Sequence, residues 1–477
     1  MERKLVLAVF LIAFLPRLLF LNGLPPDLVV HPLSQVYLLK AAAPHGFDEC
    51  VKPVYPILLA VTGFFSETLP AGRLLGVLLG SCFPVVVYFI ARKLGEDSTA
   101  FYAGLFAAAH SLALYWSPYL LAEQVLLLTA SLSVYCALSR RTRDIILSSL
   151  FAFVAAMTMD AGAAFILTLA VYVAFRDGSR MAFFYAAPVI AFALIAPLNI
   201  AVPQLSPENI THAMDVLAWS FTKERIAPSF PLFLLAAAGI LAARARLISS
   251  LFVGAILLVP IVSSCGLNEL TQYLPLAPLI CVLAGFGFSL LRGRSRLLAY
   301  AMLLILAFQV LHFGLNYYQS LEMVWEYREL GMWVEDNLPD GTGILDCGSE
   351  WKASFYVSQF SQKDFIPCPE GGFKEFSNQV LSAKPSYLII EKERVDYTLD
   401  PPERAALEAV YENTLPESSP FTLSLAYMNN PRDRKIQNHE IFNALYDGNP
   451  GLAASLVRAD FSSKKHIYVK LYRIGYD

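Results

Sequence analysis

Long apolar runs separated by short polar loops fill the first two thirds of the chain. Runs near the roughly 17–25 residues that span a bilayer occupy 5–22, 73–91, 98–116, 120–138, 144–159, 161–175, 181–202, 229–243, 247–263, 273–291 and 297–316. The pattern therefore predicts about eleven transmembrane helices. The first run has no small-residue cleavage site and contains Pro16 and Arg17, so it reads as a retained span rather than a cleaved signal. The stretch 54–68 is shorter, starts beside Pro53 and Pro56 and holds Gly63. It reads as an interfacial or re-entrant helix on the outer face.

Beyond residue 316 the pattern changes. Residues 317–340 predict a helix leaving the membrane, stopped by Pro339 and Gly341. Strand patterns over 343–347, 387–391 and 466–474 then alternate with helical patterns over 351–358, 373–383 and 402–412. Such alternation predicts a small α/β domain. The fold class is thus a polytopic α-helical membrane protein, 1–316, followed by an α/β domain, 317–477.

Composition sharpens this division. Hydrophobic residues make up 56% and charged residues 16%, against roughly 25% charged in ordinary soluble domains. Mean hydropathy is +0.52. Residues 1–316 carry 20 Lys+Arg against 15 Asp+Glu, net +5, and residues 317–477 carry 16 against 24, net -8. No dense basic patch accompanies a folded domain, which argues against nucleic acid as a partner. The charge is also unevenly shared between loops. Fourteen Lys and Arg fall on one alternate set of short loops, from Arg3 to Arg296, and four on the other: Lys40, Lys52, Lys223 and Arg225. By the positive-inside rule the N-terminus is cytoplasmic, and an odd number of spans puts 317–477 outside the cell membrane.

Cysteine supplies little chemistry. The seven Cys form no CxxC pair and no Cys/His cluster, so no metal site is assigned, although a divalent metal stays possible. Cys347 and Cys368 both fall in the outer domain, either as a disulfide or as two unpaired thiols. Asn209-Ile210-Thr211 is a sequon on an outer loop, or a chance match. No inverted repeat or pair of broken midplane helices supports a transporter.

The polar residues of interest gather on the outer face. The loop 23–53 holds Asp27, His31, Ser34, Gln35, Tyr37, Lys40, His45, Asp48, Glu49 and Lys52. Several local patterns around it occur in a known order. The first span ends in Pro16-Arg17-Leu18-Leu19, and the loop closes on Lys52-Pro53-Val54-Tyr55-Pro56. Arg73-Leu74-Leu75-Gly76 opens the next span, Tyr115-Trp116-Ser117 leads to Glu123, and Gln272-Tyr273-Leu274-Pro275 opens a late one. In this order and topology the chain resembles the polytopic C-type (GT-C) glycosyltransferases, in particular protein O-mannosyltransferases and lipid A aminoarabinose transferases. The resemblance covers most of the membrane half.

The resemblance implies transfer of a sugar from a polyprenyl-phosphate carrier to a protein, lipid or glycan acceptor on the outer face. It implies a phosphate contact from Lys52, and substrate-binding roles for His31, Tyr37, Glu123 and Gln272. Where that family usually carries His-Pro-Asp-Glu before Tyr, this chain has His31-Pro32-Leu33-Ser34-Gln35-Val36-Tyr37. Leu33 and Ser34 cannot take a proton at neutral pH. A general base beside the acceptor hydroxyl would then be a shifted acid of the same loop, Asp48 or Glu49 first and Asp27 second. The alternative is a relative without catalysis, binding lipid-linked sugar, glycan or a partner subunit through the same groove.

Overall fold

A computed structural model describes residues 2–22, 32–42, 52–64, 68–159, 162–195, 230–241, 248, 251, 276–320, 322–347, 363–367, 373–391, 421–427 and 469–476. The chain folds as two compact units, Met1–Asn316 and Tyr317–Asp477.

The first unit is helical. Its described helices are α1 (Glu2–Asn22), α2 (Pro32–Ala42), α3 (Val54–Gly63), α4 (Thr68–Leu94), α5 (Asp97–Ala108), α6 (Ser111–Tyr115) and α7 (Glu123–Ala137). They continue with α8 (Thr142–Ala156), α9 (Ala163–Asp177), α10 (Ser179–Ile195), α11 (Phe230–Ile240), α12 (Ala277–Arg294) and α13 (Arg296–Ser320). Among the described residues three helices are long and apolar enough to cross a membrane: Glu2–Asn22, Thr68–Leu94 and Ala277–Arg294. Helices α7, α8 and α9 have 15 residues each, about 22 Å of rise. Of the eleven expected runs, 247–263 lies outside the described residues apart from 248 and 251.

Side-chain partition in α1 shows why a membrane helix needs two apolar faces. Val9, Ala13 and Arg17 are buried at four-residue spacing, while Leu7, Leu11, Leu15 and Leu19 are 56%, 41%, 53% and 72% exposed. The i, i+4 stripe of bare leucines suits lipid, not water.

One expected span is corrected. The run 98–116 does not form one helix, since α5 stops at Ala108 and α6 begins at Ser111. His110 starts the second piece: its Nδ1 accepts the Ala113 N–H at 3.5 Å, and its carbonyl accepts the Leu114 N–H at 2.9 Å. The ring thus acts as a helix cap, satisfying a donor that the break leaves over.

The loops sort to two ends of the bundle. At one end Arg92 pairs with Glu2 and Asp97. Lys93 Nζ donates to the Tyr135 carbonyl at 2.8 Å and lies 3.6 Å from the Tyr135 ring centroid. Arg176 bonds Asp177, the Tyr172 hydroxyl and the Ser139 carbonyl, and Arg292 reaches the Tyr102 hydroxyl at 3.3 Å. The basic loops therefore knit adjacent helix ends together. The end of α1, the start of α4 and the start of α7 lie at the other end.

Helices α11 and α12 meet backbone to backbone. A Cβ on Gly239 would run into the Leu283 carbonyl, and one on Gly287 into the Leu235 carbonyl. This reciprocal notch is the close approach that small residues permit between membrane helices.

The second unit holds α14 (Glu322–Asn337), β1 (Gly343–Cys347), β2 (Asp364–Pro367), α15 (Phe373–Ala383), β3 (Tyr387–Glu391), β4 (Phe421–Tyr427) and β5 (Val469–Tyr476). The sheet order is β2-β1-β3-β5-β4. β1 runs parallel to β2 and β3, and β5 runs antiparallel to β3 and β4. The last strand runs on to Tyr476, past the expected 474, and 466–468 lie outside the described residues. Ile344, Leu345, Leu388, Ile389 and Leu471 build its core with Tyr327, Leu330 and Val334 of α14. Tyr476 donates to the Pro385 carbonyl at 2.6 Å, and burial pushes its phenol up to about 12. Cys347 ends β1, whereas Cys368 lies outside the described residues, as does the sequon at Asn209.

Candidate functional site

Helices α2, α3 and the start of α7 converge on one buried cluster. Tyr37, Ala41, Tyr55, Leu59, Leu120, Ala122 and Val125 form it, with Val54, Leu69 and Met159 packed against it. The Tyr37 and Tyr55 rings meet edge to face, centroids 5.0 Å apart at 84°. Edge-to-face pairs add roughly 0.5–1.5 kcal/mol beyond burial, enough to lock a short α2 onto a short α3. The Val54 N–H donates to the Met157 carbonyl at 3.3 Å, which ties the start of α3 to the end of α8.

Three of the sequence-predicted residues are carried into this region. Tyr37 sits in the cluster, 4% exposed. Lys52 is 8% exposed and stands just before Pro53, the residue that caps α3. Glu123 is 1% exposed and is the first residue of α7. Glu123 and Tyr37 both act electrostatically on Tyr55, so carboxylate and phenols share one pocket of protein. Asp27, His31, Asp48, Glu49 and Gln272 lie outside the described residues.

Sequence reasoning did not assign roles to several residues that the fold buries here. Ser34 is 1% exposed, Tyr55 1% and Gln124 0%. Among the described residues Ser34 Oγ, Tyr55 Oη, Glu123 Oε2 and Gln124 Oε1 are buried with no hydrogen-bond partner. Native structures pair nearly all such atoms, so a concentration of orphans marks a place where something else completes the bonding. The signal for Ser34 and Tyr55 was their position inside motifs already singled out.

An apolar groove of about 960 Å³ runs between α1, α4 and α7 at the basic end, lined by Phe10, Cys82, Phe89, Leu132 and Tyr135. None of the candidate residues lines it. Among the described residues no group of three or more His, Cys, Asp or Glu could hold a metal ion.

Solved structures decide the architecture. Undecaprenyl phosphate-bound ArnT from Cupriavidus metallidurans matches at a TM-score of 0.51 and 12% identity, over 98% of this chain and 97% of that one. Its apo state matches at 0.52 and 12%, with the same coverage. This chain has the fold of the GT-C polytopic glycosyltransferases. Archaeal oligosaccharyltransferase AglB from Archaeoglobus fulgidus, in complex with an inhibitory peptide and a dolichol-phosphate, matches at 0.51 and 11%, over 81% of this chain and 69% of that one. No protein-family model and no curated protein sequence matches. Near-complete coverage by a GT-C structure, together with the apolar helices, makes the chain a membrane protein.

Proposed function

We propose that this GT-C chain is a glycosyltransferase that moves a sugar from a polyprenyl-phosphate carrier to an acceptor on the outer face of the membrane. In this reading Lys52 contacts the carrier phosphate with Gln272, and Tyr37, His31 and Glu123 line the sugar and acceptor space. Asp48 or Glu49, then Asp27, removes the acceptor proton. The bond from the sugar's anomeric carbon to the phosphate oxygen breaks as the bond to the acceptor oxygen forms, and the phosphate departs as an anion. Residues 1–316 form the transferase-like domain and 317–477 an extracytoplasmic domain.

The observation that carries the reading is the buried cluster around Tyr37 and Tyr55, whose neighbours in sequence, Val54 and Ala122, bring the buried Lys52 and Glu123 to the same end of the bundle. The ArnT neighbour is described as bound to undecaprenyl phosphate and the AglB neighbour to a dolichol-phosphate. A divalent metal is compatible with the acids left to the first loop. Ser34 favours a second reading. It is buried where the resembled family carries a carboxylate, and a hydroxyl there suits binding rather than proton removal.

Reconstituted full-length protein given a panel of polyprenyl-phosphate sugars separates the two. Transfer that falls roughly 10²–10⁴-fold in Asp48→Asn or Glu49→Gln, with carrier binding intact, supports the enzyme. No transfer by the wild type, gained on changing Leu33 to Asp and Ser34 to Glu, supports the binding relative. A reporter Cys near Asp447 tests the topology, since labelling only after permeabilisation would overturn an outer C-terminal domain.

A further inference from the structure

Arg17 is fully buried on α1, one turn beyond Ala13. Among the described residues no carboxylate pairs with it. Its Nη1 donates to the Ala13 carbonyl at 2.7 Å and the Ala108 carbonyl at 3.5 Å, and its Nη2 to the Ala113 carbonyl at 3.3 Å. Ala108 ends α5 and Ala113 lies in α6. The guanidinium therefore takes carbonyls that the break between those helices sets free. Gln124 Nε2 donates to the same Ala113 carbonyl at 3.4 Å. A Cβ on Gly80 would lie 2.7 Å from Gln124 Oε1 and 3.2 Å from Arg17 Nε, so only the bare backbone at 80 lets the two side chains close in.

We propose that Arg17 is a positioning residue for Glu123, acting through the shared Ala113 carbonyl and Gln124 to fix where α7 begins. The inference rests on the reading of Glu123 as a site residue. Glu123 Oε2 has no hydrogen-bond partner among the described residues, so its place is held by its neighbour in sequence rather than by that oxygen. Five donors in a planar fork suit Arg to this task, and a displacement near 1 Å at a reacting centre costs about a hundredfold in rate.

The test is a double-mutant cycle in the reconstituted full chain. Arg17→Met lowers kcat about a hundredfold with the KM for carrier unchanged. Arg17→Met combined with Glu123→Gln is then no slower than Glu123→Gln alone. Losses that multiply would overturn the proposal. If Arg17→Met does not fold, Gln124→Leu removes the Gln124 amide alone and leaves Arg17 in place, and the same non-multiplying outcome is required of it. Should the wild type transfer no sugar, the transferase reading fails and an infrared readout decides the positioning. The carboxyl band of Glu123, found by difference against Glu123→Gln, moves in Arg17→Met and returns in Arg17→Lys. An unmoved band in folded Arg17→Met would sink the inference.

Discussion

The two ends of the helical bundle differ in how fully their polar groups are bonded. At the basic end Arg92, Lys93, Arg176 and Arg292 find carboxylates, carbonyls, hydroxyls or a ring face. At the other end Arg17 Nε, Ser34 Oγ, Tyr55 Oη, Glu123 Oε2 and Gln124 Oε1 are buried without hydrogen-bond partners among the described residues, against Tyr88 Oη beside the basic end. Each orphan costs roughly 1–3 kcal/mol of desolvation that nothing within the described protein returns. A bundle stitched at one end and under-bonded at the other places its instability where a polar ligand would relieve it. The strain falls where chemistry is proposed, and the stitching keeps the helices together meanwhile.

Glu123→Leu should separate stability from activity most widely. Transfer falls about a hundredfold as orientation is lost, while the thermal midpoint in detergent rises because a buried carboxylate with one unpartnered oxygen is gone. A lowered midpoint would mean that Glu123 Oε2 is bonded in the resting protein. Lys52→Ala should weaken binding of a polyprenyl phosphate by about ten- to a hundredfold, from a charge-assisted bond of roughly 1.5–3 kcal/mol. Titration of the carrier against reconstituted protein reads it, and unchanged affinity removes Lys52 from the phosphate site.

Arg176→Met probes the stitched end. Its bonds join groups at one helix end and are worth about 1 kcal/mol, so the unfolding midpoint drops slightly and carrier affinity stays at the wild-type value. A change in affinity would connect the two ends. Ser34→Ala should have an effect of similar size and opposite sign, a stability gain of about 1 kcal/mol on removing an unpaired hydroxyl, read by thermal unfolding. A loss instead would show that Ser34 is bonded by the neighbouring loop.

Much of the helical layout was legible because apolar runs report their own position: the runs at 5–22 and 73–91 fall within α1 and α4. The strands at 343–347 and 387–391 were legible for the same reason, being short apolar runs bounded by turn residues. The break at His110 was not, since no Pro or Gly marks it. It depends on a ring that caps Ala113 and on an arginine from another helix. β4 was not expected, although Phe421, Leu423 and Leu425 alternate as a strand would. Arg17 entered only as part of Pro16-Arg17-Leu18-Leu19 at the end of the first span, with no role assigned. Its four-residue spacing from Val9 and Ala13 placed it on the inward face, yet only tertiary structure shows the carbonyls that it meets. Tyr37, Lys52 and Glu123 were named from motif positions, and the packing of α2 on α3 supplies what spacing could not, the convergence of three distant segments.

The glycine notch between α11 and α12 bears on how the chain is made. Gly239 leaves the ribosome well before Gly287, so α11 enters the bilayer before the surface it fits exists. Until α12 arrives, a bare strip of backbone faces lipid. A side chain at Gly287 would leave that strip uncovered for the life of the molecule. Such a variant would be seen as a missing protein rather than a slow one, removed by membrane quality control before turnover could be measured.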